Sequence, residues 1–201
     1  MRNGIRNIVF DMGKVIIGFD PGIFMDREKI FDENDRRLIE EKIYGSEMWL
    51  QMDMGDLNEE EMIKKVTPEF PGHLRPHIRN LIAGWPYPLI EIPGMNDLVF
   101  DLKGRGYGIY LLSNASVMQK EYWPGVPCAK CFDGMAVSAF EHLMKPDKRF
   151  YEVLLKRYDL KAEECLFVDD RRINIDAAAS LGFDTFLFEG DALKLKNYID
   201  N

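Results

Sequence analysis

Short apolar runs alternate with amphipathic stretches along most of the chain, and this pattern predicts strands that alternate with helices. The runs are rich in β-branched or aromatic residues. They show little period-two alternation, which is typical of strands covered by helices on both faces. We predict five strands, at residues 5–10, 107–112, 135–139, 165–168 and 185–188. The predicted fold class is therefore α/β, with a doubly wound parallel sheet.

Helical patterns lie between the later predicted strands. Apolar residues at i, i+3, i+4 and i+7 predict a helix over 95–102, with Gly104 near its end. Asp147 is a suitable N-cap for a second helix. A third helix is predicted over 172–181 and is followed by Gly182.

The stretch from Phe19 to Ile92 differs from the rest because it contains no convincing strand pattern. The pattern of this stretch predicts three or four helices, and Asn58 with Glu61 matches a capping box at the start of one of them. Prolines interrupt its second half. The sequence thus predicts a core made of residues 1–18 and 93–201, interrupted by an all-helical domain of residues 19–92.

Charge and cysteine content narrow the functional classes. The 201 residues include 26 Lys and Arg against 34 Asp and Glu, a net charge of −8, which argues against general nucleic-acid binding. Three cysteines do not make a disulfide framework, and no apolar run approaches the length of a membrane span. We expect a cytoplasmic protein that binds neither nucleic acid nor membranes.

Polar residues follow four of the predicted strands. Asp11 follows the first strand, Ser113 and Asn114 the second, Lys145 the third, and the adjacent pair Asp169 and Asp170 the fourth. The carboxyl ends of parallel strands share one edge of a sheet, and ligands bind there. We therefore expect these side chains to meet at a single site.

The chemistry of that set suits a metal-assisted phosphatase. Three clustered carboxylates repel one another unless a cation neutralises them, and Mg²⁺ prefers such oxygen ligands. One carboxylate beside the metal can attack phosphorus in line and form an aspartyl-phosphate. Ser113 and Lys145 would then hold the remaining phosphoryl oxygens, and water would release phosphate.

Four ordered motifs resemble those of the haloacid dehalogenase superfamily. They lie at residues 3–15, 111–114, 144–146 and 167–174, and the helical insertion resembles the small helical cap of that family. Details of the second and third motifs resemble a branch that includes sugar-phosphate phosphatases and the phosphatase domain of epoxide hydrolases. The resemblance implies a Mg²⁺-dependent phosphatase that acts on a small phosphorylated metabolite, with a sugar phosphate as the first expectation.

The same resemblance implies a role for each matching residue. Asp11 would be the nucleophile and a metal ligand, and Gly13 would provide a backbone carbonyl to the metal. Asp169 and Asp170 would complete the protein ligands, one of them through water. Ser113 and Asn114 would bind the phosphoryl group, and Lys145 would pair with that group and with Asp11.

Two residues depart from the pattern of the superfamily. Most of its phosphatases carry a second Asp two residues after the nucleophile, where this chain has Gly13, which has no side chain to donate a proton. Loss of a general acid costs roughly 10²–10⁴ in rate. Asp20 and Asp53 are candidates to replace it. The other departure is Lys14, which either attracts phosphate or points to solvent.

Two other functions remain open at this stage. In a 2-haloacid dehalogenase, Asp11 would attack carbon without a metal. The adjacent pair Asp169 and Asp170 argues against that reaction because it would repel the substrate carboxylate. In a non-catalytic phosphate-binding regulatory protein, Gly13 would mark a lost activity. The oligomeric state, monomer or homodimer, is also open. We interpret Cys128 and Cys131 as incidental, because a zinc site lacks further ligands.

Overall fold

Five parallel strands form one sheet in the computed structural model, which describes residues 4–201. The strand order is β3-β2-β1-β4-β5, so β1 lies in the centre. The bounds are β1 Asn7–Phe10, β2 Gly108–Ser113, β3 Gly134–Val137, β4 Cys165–Asp169 and β5 Asp184–Leu187. The predicted α/β class with a parallel sheet is confirmed. Asn3, where the first motif begins, and the other residues of 1–3 lie outside the described part.

The third predicted strand is wrong at its carboxyl end. Strand β3 ends at Val137, and Ser138 and Ala139 belong to the short helix α7, Ser138–Glu141. The hydroxyl of Ser138 accepts a hydrogen bond from the backbone N–H of Ala115 at 3.0 Å. An apolar run alone does not reveal this side-chain contact.

Helices cover both faces of the sheet. They are α5 Met95–Gly104, α6 Gln119–Tyr122, α7, α8 Lys148–Arg157, α9 Arg172–Ala179 and α10 Ala192–Asp200. The Asp147 side chain caps α8 by accepting from the N–H of Arg149, as predicted. Helix α9 ends at Ala179, two residues before the predicted end, and Gly182 follows with a positive φ of 93°.

The segment between β1 and α5 is helical. It contains α1 Pro21–Arg27, α2 Glu33–Ile39, α3 Glu47–Met54 and α4 Glu59–Val66, followed by shorter turns. A π-helical turn, Glu40–Tyr44, continues α2. The predicted capping box is present, because Asn58 and Glu61 each accept a hydrogen bond from the other's backbone N–H.

Three clusters of buried apolar side chains hold these elements together. Two of them cover the two faces of the sheet. The third lies within the helical segment and includes Phe24, Met52 and Ile82. Trp85 packs against both this cluster and one of the sheet clusters, so it links the helical segment to the sheet. Among residues 4–201, no helix is long and apolar enough to cross a membrane.

Candidate active site

Asp11 lies at the carboxyl end of the central strand, between the ends of β2 and β4. Its backbone N–H donates to the carbonyl of Val168 at 2.8 Å, which extends the pairing of β1 with β4 by one residue. The residue is 8% exposed. Central strands of a parallel sheet are buried on both faces, and so the Asp11 side chain projects from a rigid support.

Lys145 joins two of the carboxylates. Its Nζ lies 2.8 Å from Asp11 Oδ1 and 2.7 Å from Asp169 Oδ2, and the residue is 2% exposed. Burial acts to lower the pKa of Lys145, but the charges of Asp11 and Asp169 outweigh it, and the pKa lies above its usual value. The ammonium is therefore a fixed positive charge in the site.

Asp169 is held by neighbouring donors as well. Nδ2 of Asn174 lies 3.0 Å from both oxygens of Asp169, and the N–H of Arg171 donates to Oδ1 at 2.8 Å. Asp169 is fully buried, whereas Asp170 is half-buried. We assigned no role to Asn174 from the sequence. The signal available was its place at the end of the fourth motif, in the first turn of α9.

Asp11, Asp169 and Asp170 form a cluster with the features of a cation site. One carboxylate oxygen from each lies within 4.8 Å of the others. Burial, with the charge of Asp169, raises the pKa of Asp11 to about 6, although Lys145 opposes the shift. Burial and Asp169 also raise the pKa of Asp170. A hard divalent cation would relieve this repulsion, and the donor set fits Mg²⁺.

The predicted phosphate-binding pair, Ser113 and Asn114, lies at the carboxyl end of β2. The Asn114 side chain accepts from the backbone N–H of Lys145 at 2.8 Å and donates to its carbonyl at 3.0 Å. It therefore fixes the loop that carries Lys145. Ser113 is buried at the end of β2, and its Oγ lies 3.5 Å from the Asn114 carbonyl oxygen. Asn114 lines the cavity described next, and Ser113 does not.

A cavity of about 280 Å³ separates the sheet from the helical segment. Asp11, Gly13, Lys145 and Asp170 line its floor. The facing wall is mainly apolar and comprises Phe19, Trp49, Leu50, Met52, Ile82, Trp85 and Tyr122. Two carboxylates, Asp53 and Glu59, also line the cavity. The pattern of the sequence did not show which residues of the helical segment face the site.

The family is identified by a match over most of the chain. The family model of haloacid dehalogenase-like hydrolases matches residues 5–182. The chain belongs to this hydrolase family. Gly13, two residues after Asp11, offers no carboxylate to the site.

Three curated proteins with similar sequences are named as phosphatases. Sesquiterpene phosphatase astK of Aspergillus oryzae is 29% identical over 183 residues, covering 87% of this chain and 85% of that protein. D-ribitol-5-phosphate phosphatase of Bacteroides thetaiotaomicron is 28% identical over 204 residues, covering 94% of each. Glyceraldehyde 3-phosphate phosphatase of Pyrococcus abyssi is 25% identical, covering 92% of this chain and 82% of that protein.

Solved structures of the haloacid dehalogenase family share the fold. A Bacteroides thetaiotaomicron family enzyme in complex with magnesium and inorganic phosphate superposes with a TM-score of 0.75 at 21% identity, covering 96% of this chain and 99% of that one. A dehalogenase superposes with a TM-score of 0.71 at 19% identity, covering 92% and 85%. At these identities the likeness concerns the fold, which hosts more than one reaction.

Lys14 and Asp20, which the sequence analysis considers near the site, differ in their relation to the cavity. Lys14 adopts a left-handed φ of 59°, a conformation in which Gly or Asn is less strained, and it lines the cavity while remaining exposed. Its charge lowers the pKa of Asp170 against the larger effect of burial. Asp20 is exposed, does not line the cavity, and accepts from the N–H of Gly22 as the N-cap of α1.

The cysteines take no part in the site. Cys128 and Cys131 are free and buried, and among residues 4–201 they belong to no group with metal-binding geometry. Burial raises the pKa of the Cys128 thiol to about 12, with a smaller contribution from Cys131. A thiol in this state is a poor nucleophile at neutral pH.

Proposed function

We propose that the protein hydrolyses a small phosphate monoester through an aspartyl-phosphate on Asp11, with Mg²⁺ as cofactor. The observation that carries this proposal is the placement of Asp11 at the cavity floor, beside one buried ammonium and two further carboxylates. A nucleophile needs this combination, because the site must attract a phosphate dianion while leaving a carboxylate free to attack.

Asp11, Asp170 and the Gly13 carbonyl would hold the metal, and Asp169 would act through water. Both oxygens of Asp169 already accept hydrogen bonds from protein groups, which supports the indirect role. Bound Mg²⁺ supplies positive charge that offsets the charge of the phosphoryl oxygens. The donor set fits it, since three carboxylates face a single ammonium in a buried site.

Each polar residue of the floor has a separate task in this reaction. A carboxylate oxygen of Asp11 attacks phosphorus as the ester oxygen leaves on the opposite side. Lys145 stabilises the negative charge of the transition state and orients Asp11 by their 2.8 Å contact. Asn114 holds the Lys145 backbone, and Ser113, with the turn that follows β2, would complete the phosphoryl site.

Residues 19–92 would act as a cap over a core made of residues 1–18 and 93–201. This division is supported by the separate apolar cluster of the helical segment and by the cavity that lies between it and the sheet. A cap that closes over the site excludes bulk water and large substrates. A cavity of about 280 Å³ is consistent with a metabolite and too small for a folded phosphoprotein.

Two substrate classes have support. The sugar or polyol phosphate implied by the motifs is supported by the relatives named for ribitol 5-phosphate and glyceraldehyde 3-phosphate. The phosphate of an apolar alcohol is supported by the aromatic and aliphatic wall of the cavity and by the relative named a sesquiterpene phosphatase. We favour the second class, because the wall that faces the floor is mainly apolar and burial against it costs the hydration of a sugar's hydroxyl groups.

Phosphate release from a substrate panel tests the proposal. The panel contains ribitol 5-phosphate, glucose 1-phosphate, and n-alkyl and prenyl phosphates of increasing length, each with Mg²⁺ and with EDTA. We expect turnover that requires Mg²⁺. We also expect kcat/KM to rise roughly two- to fourfold per methylene until the cavity is filled, since each buried methylene contributes about 0.8 kcal/mol.

Three outcomes would contradict parts of this account. Higher kcat/KM for the sugar phosphates, without a gain from chain length, would overturn the apolar substrate class alone. Halide release from 2-haloacids that persists in EDTA would favour the dehalogenase reaction. Tight binding of phosphate esters without turnover, by folded protein, would favour a regulatory protein that has lost catalysis.

A further inference from the structure

Asp53 lies in the active-site cavity although it belongs to the helical segment. It is in the last turn of α3, and it lines the same cavity as Asp11, Gly13 and Asp170. Among residues 4–201, no group forms a hydrogen bond or an ion pair with its carboxyl group. A carboxyl group that faces a cavity without a protein partner is available to a ligand in that cavity.

The end of α3 is fastened to the core. The Ser138 hydroxyl donates to the backbone carbonyl of Asp53 and accepts from the N–H of Ala115, which lies in the turn after β2. Gly55 follows with a φ of 80°, and a Cβ there would lie 2.2 Å from the carbonyl oxygen of Ala139. These close contacts set Asp53 at a defined place relative to the ends of the strands.

The other acidic groups near the site are less suited to proton transfer. The carboxylate of Glu59 is engaged by the Ser116 hydroxyl. Asp20 caps α1 outside the cavity, and Asp169 is saturated by donors. Tyr122 lines the cavity, but burial raises its pKa far above the ordinary value, so its hydroxyl is too weak an acid at neutral pH.

We propose that Asp53 donates the proton to the leaving-group oxygen and later accepts one from water, in place of the side chain that Gly13 lacks. This inference rests on the proposed function. Burial, with the charges of Asp11 and Glu59, raises the pKa of Asp53 to about 7. A general acid with a pKa near the working pH is present in both protonation states, as a residue that gives and then takes a proton must be.

Asp53 transfers a proton both when the aspartyl-phosphate forms and when it is hydrolysed. Asp11 forms a bond to phosphorus, the bond from phosphorus to the ester oxygen breaks, and the carboxyl proton of Asp53 passes to that oxygen to give the free alcohol. Water then attacks the phosphorus of the aspartyl-phosphate and gives a proton to the Asp53 carboxylate. The bond between phosphorus and the Asp11 oxygen breaks, and hydrogen phosphate leaves with both side chains restored.

The test compares Asp53→Asn with the natural protein on two leaving groups. Loss of a proton donor slows the release of a poor leaving group, such as an alkoxide, by roughly 10²–10⁴-fold in kcat/KM. It changes kcat/KM for p-nitrophenyl phosphate by less than about tenfold, because nitrophenolate leaves without protonation. The second step still lacks its base, so a burst of nitrophenolate followed by slow turnover is expected for the variant.

Asp56→Asn is the matched control, since Asp56 is exposed, lies three residues further along and does not line the cavity. It should resemble the natural protein on both substrates. Glu59→Gln and Lys14→Met test two other ionisable residues of the cavity, and neither should show the dependence on leaving group.

Each outcome separates this inference from the proposed function. Equal effects of Asp53→Asn on both leaving groups, in an enzyme that Asp11→Asn inactivates, would overturn the role of Asp53 and leave the phosphatase intact. The role of Asp53 would also be overturned if Glu59→Gln or Lys14→Met, and not Asp53→Asn, slowed the alkyl ester much more than p-nitrophenyl phosphate. Natural protein that hydrolyses neither substrate with Mg²⁺ would overturn both proposals.

Discussion

Asp11→Asn is expected to lose turnover by roughly 10⁴–10⁶-fold in kcat with every phosphate ester that the natural protein hydrolyses. The reason is that an amide oxygen is a far weaker nucleophile than a carboxylate. Phosphate release with Mg²⁺ measures the loss. A residual rate within tenfold of the natural protein would contradict the covalent role of Asp11.

The same variant should be more stable than the natural protein in EDTA at neutral pH. The folded-state pKa of Asp11 is raised above its unfolded value of 3.8, so its stabilising contribution is complete below pH 4 and is lost as pH rises through about 6. Asn does not titrate, and we expect a gain on the order of 1–3 kcal/mol at pH 7 that disappears toward pH 4. Urea unfolding at the two pH values separates a folded, inactive variant from a misfolded one.

Lys145→Met is expected to destabilise the protein by about 3–5 kcal/mol in EDTA and to abolish turnover. Removal of the ammonium leaves Asp11 and Asp169 close together in a buried site without the positive charge that both contact. Urea unfolding measures the change in stability. Mg²⁺ should restore part of the lost stability, since a cation near the same carboxylates replaces some of the missing charge.

Two further variants make that prediction specific. Lys148→Met removes an exposed lysine at the start of α8 and should change stability by less than about 0.5 kcal/mol. Combining Lys145→Met with Asp169→Asn should recover part of the stability but no activity. The contradicting result is an equal loss of stability for Lys145→Met and Lys148→Met. It would show that the buried ion pairs of Lys145 with Asp11 and Asp169 do not stabilise the fold.

The central part of the site could be predicted from the sequence because of a simple property of parallel sheets. Asp11 and the pair Asp169 and Asp170 follow apolar runs, and strands that run in one direction bring their carboxyl ends to one edge. In the structure Asp11 follows the central strand β1, and Asp169 is the last residue of the neighbouring strand β4. Lys145 was expected at the same edge, but its support by the Asn114 side chain depends on a contact between two loops.

For the helical segment the sequence predicts the helices and offers Asp53 as one of two candidate acids, but it does not predict which residues face the site. Asn58 and Glu61 give a local capping signal, and the structure contains that cap. Asp53 carries no local signal, because its place in the cavity depends on how α3 meets Ser138 and on the close approach of Gly55 to Ala139. Contacts between distant segments of this kind leave no periodic pattern in the chain.

The most direct test of the proposed mechanism is to capture the phosphoryl group on Asp11. The natural protein would be mixed with Mg²⁺ and its best substrate from the panel, quenched in acid during turnover, digested and analysed by mass spectrometry. We expect one phosphoryl group on the peptide that contains Asp11, present during turnover, lost once the substrate is consumed, and absent from Asp11→Asn. Steady phosphate release with that peptide unmodified at every time point would contradict the covalent mechanism.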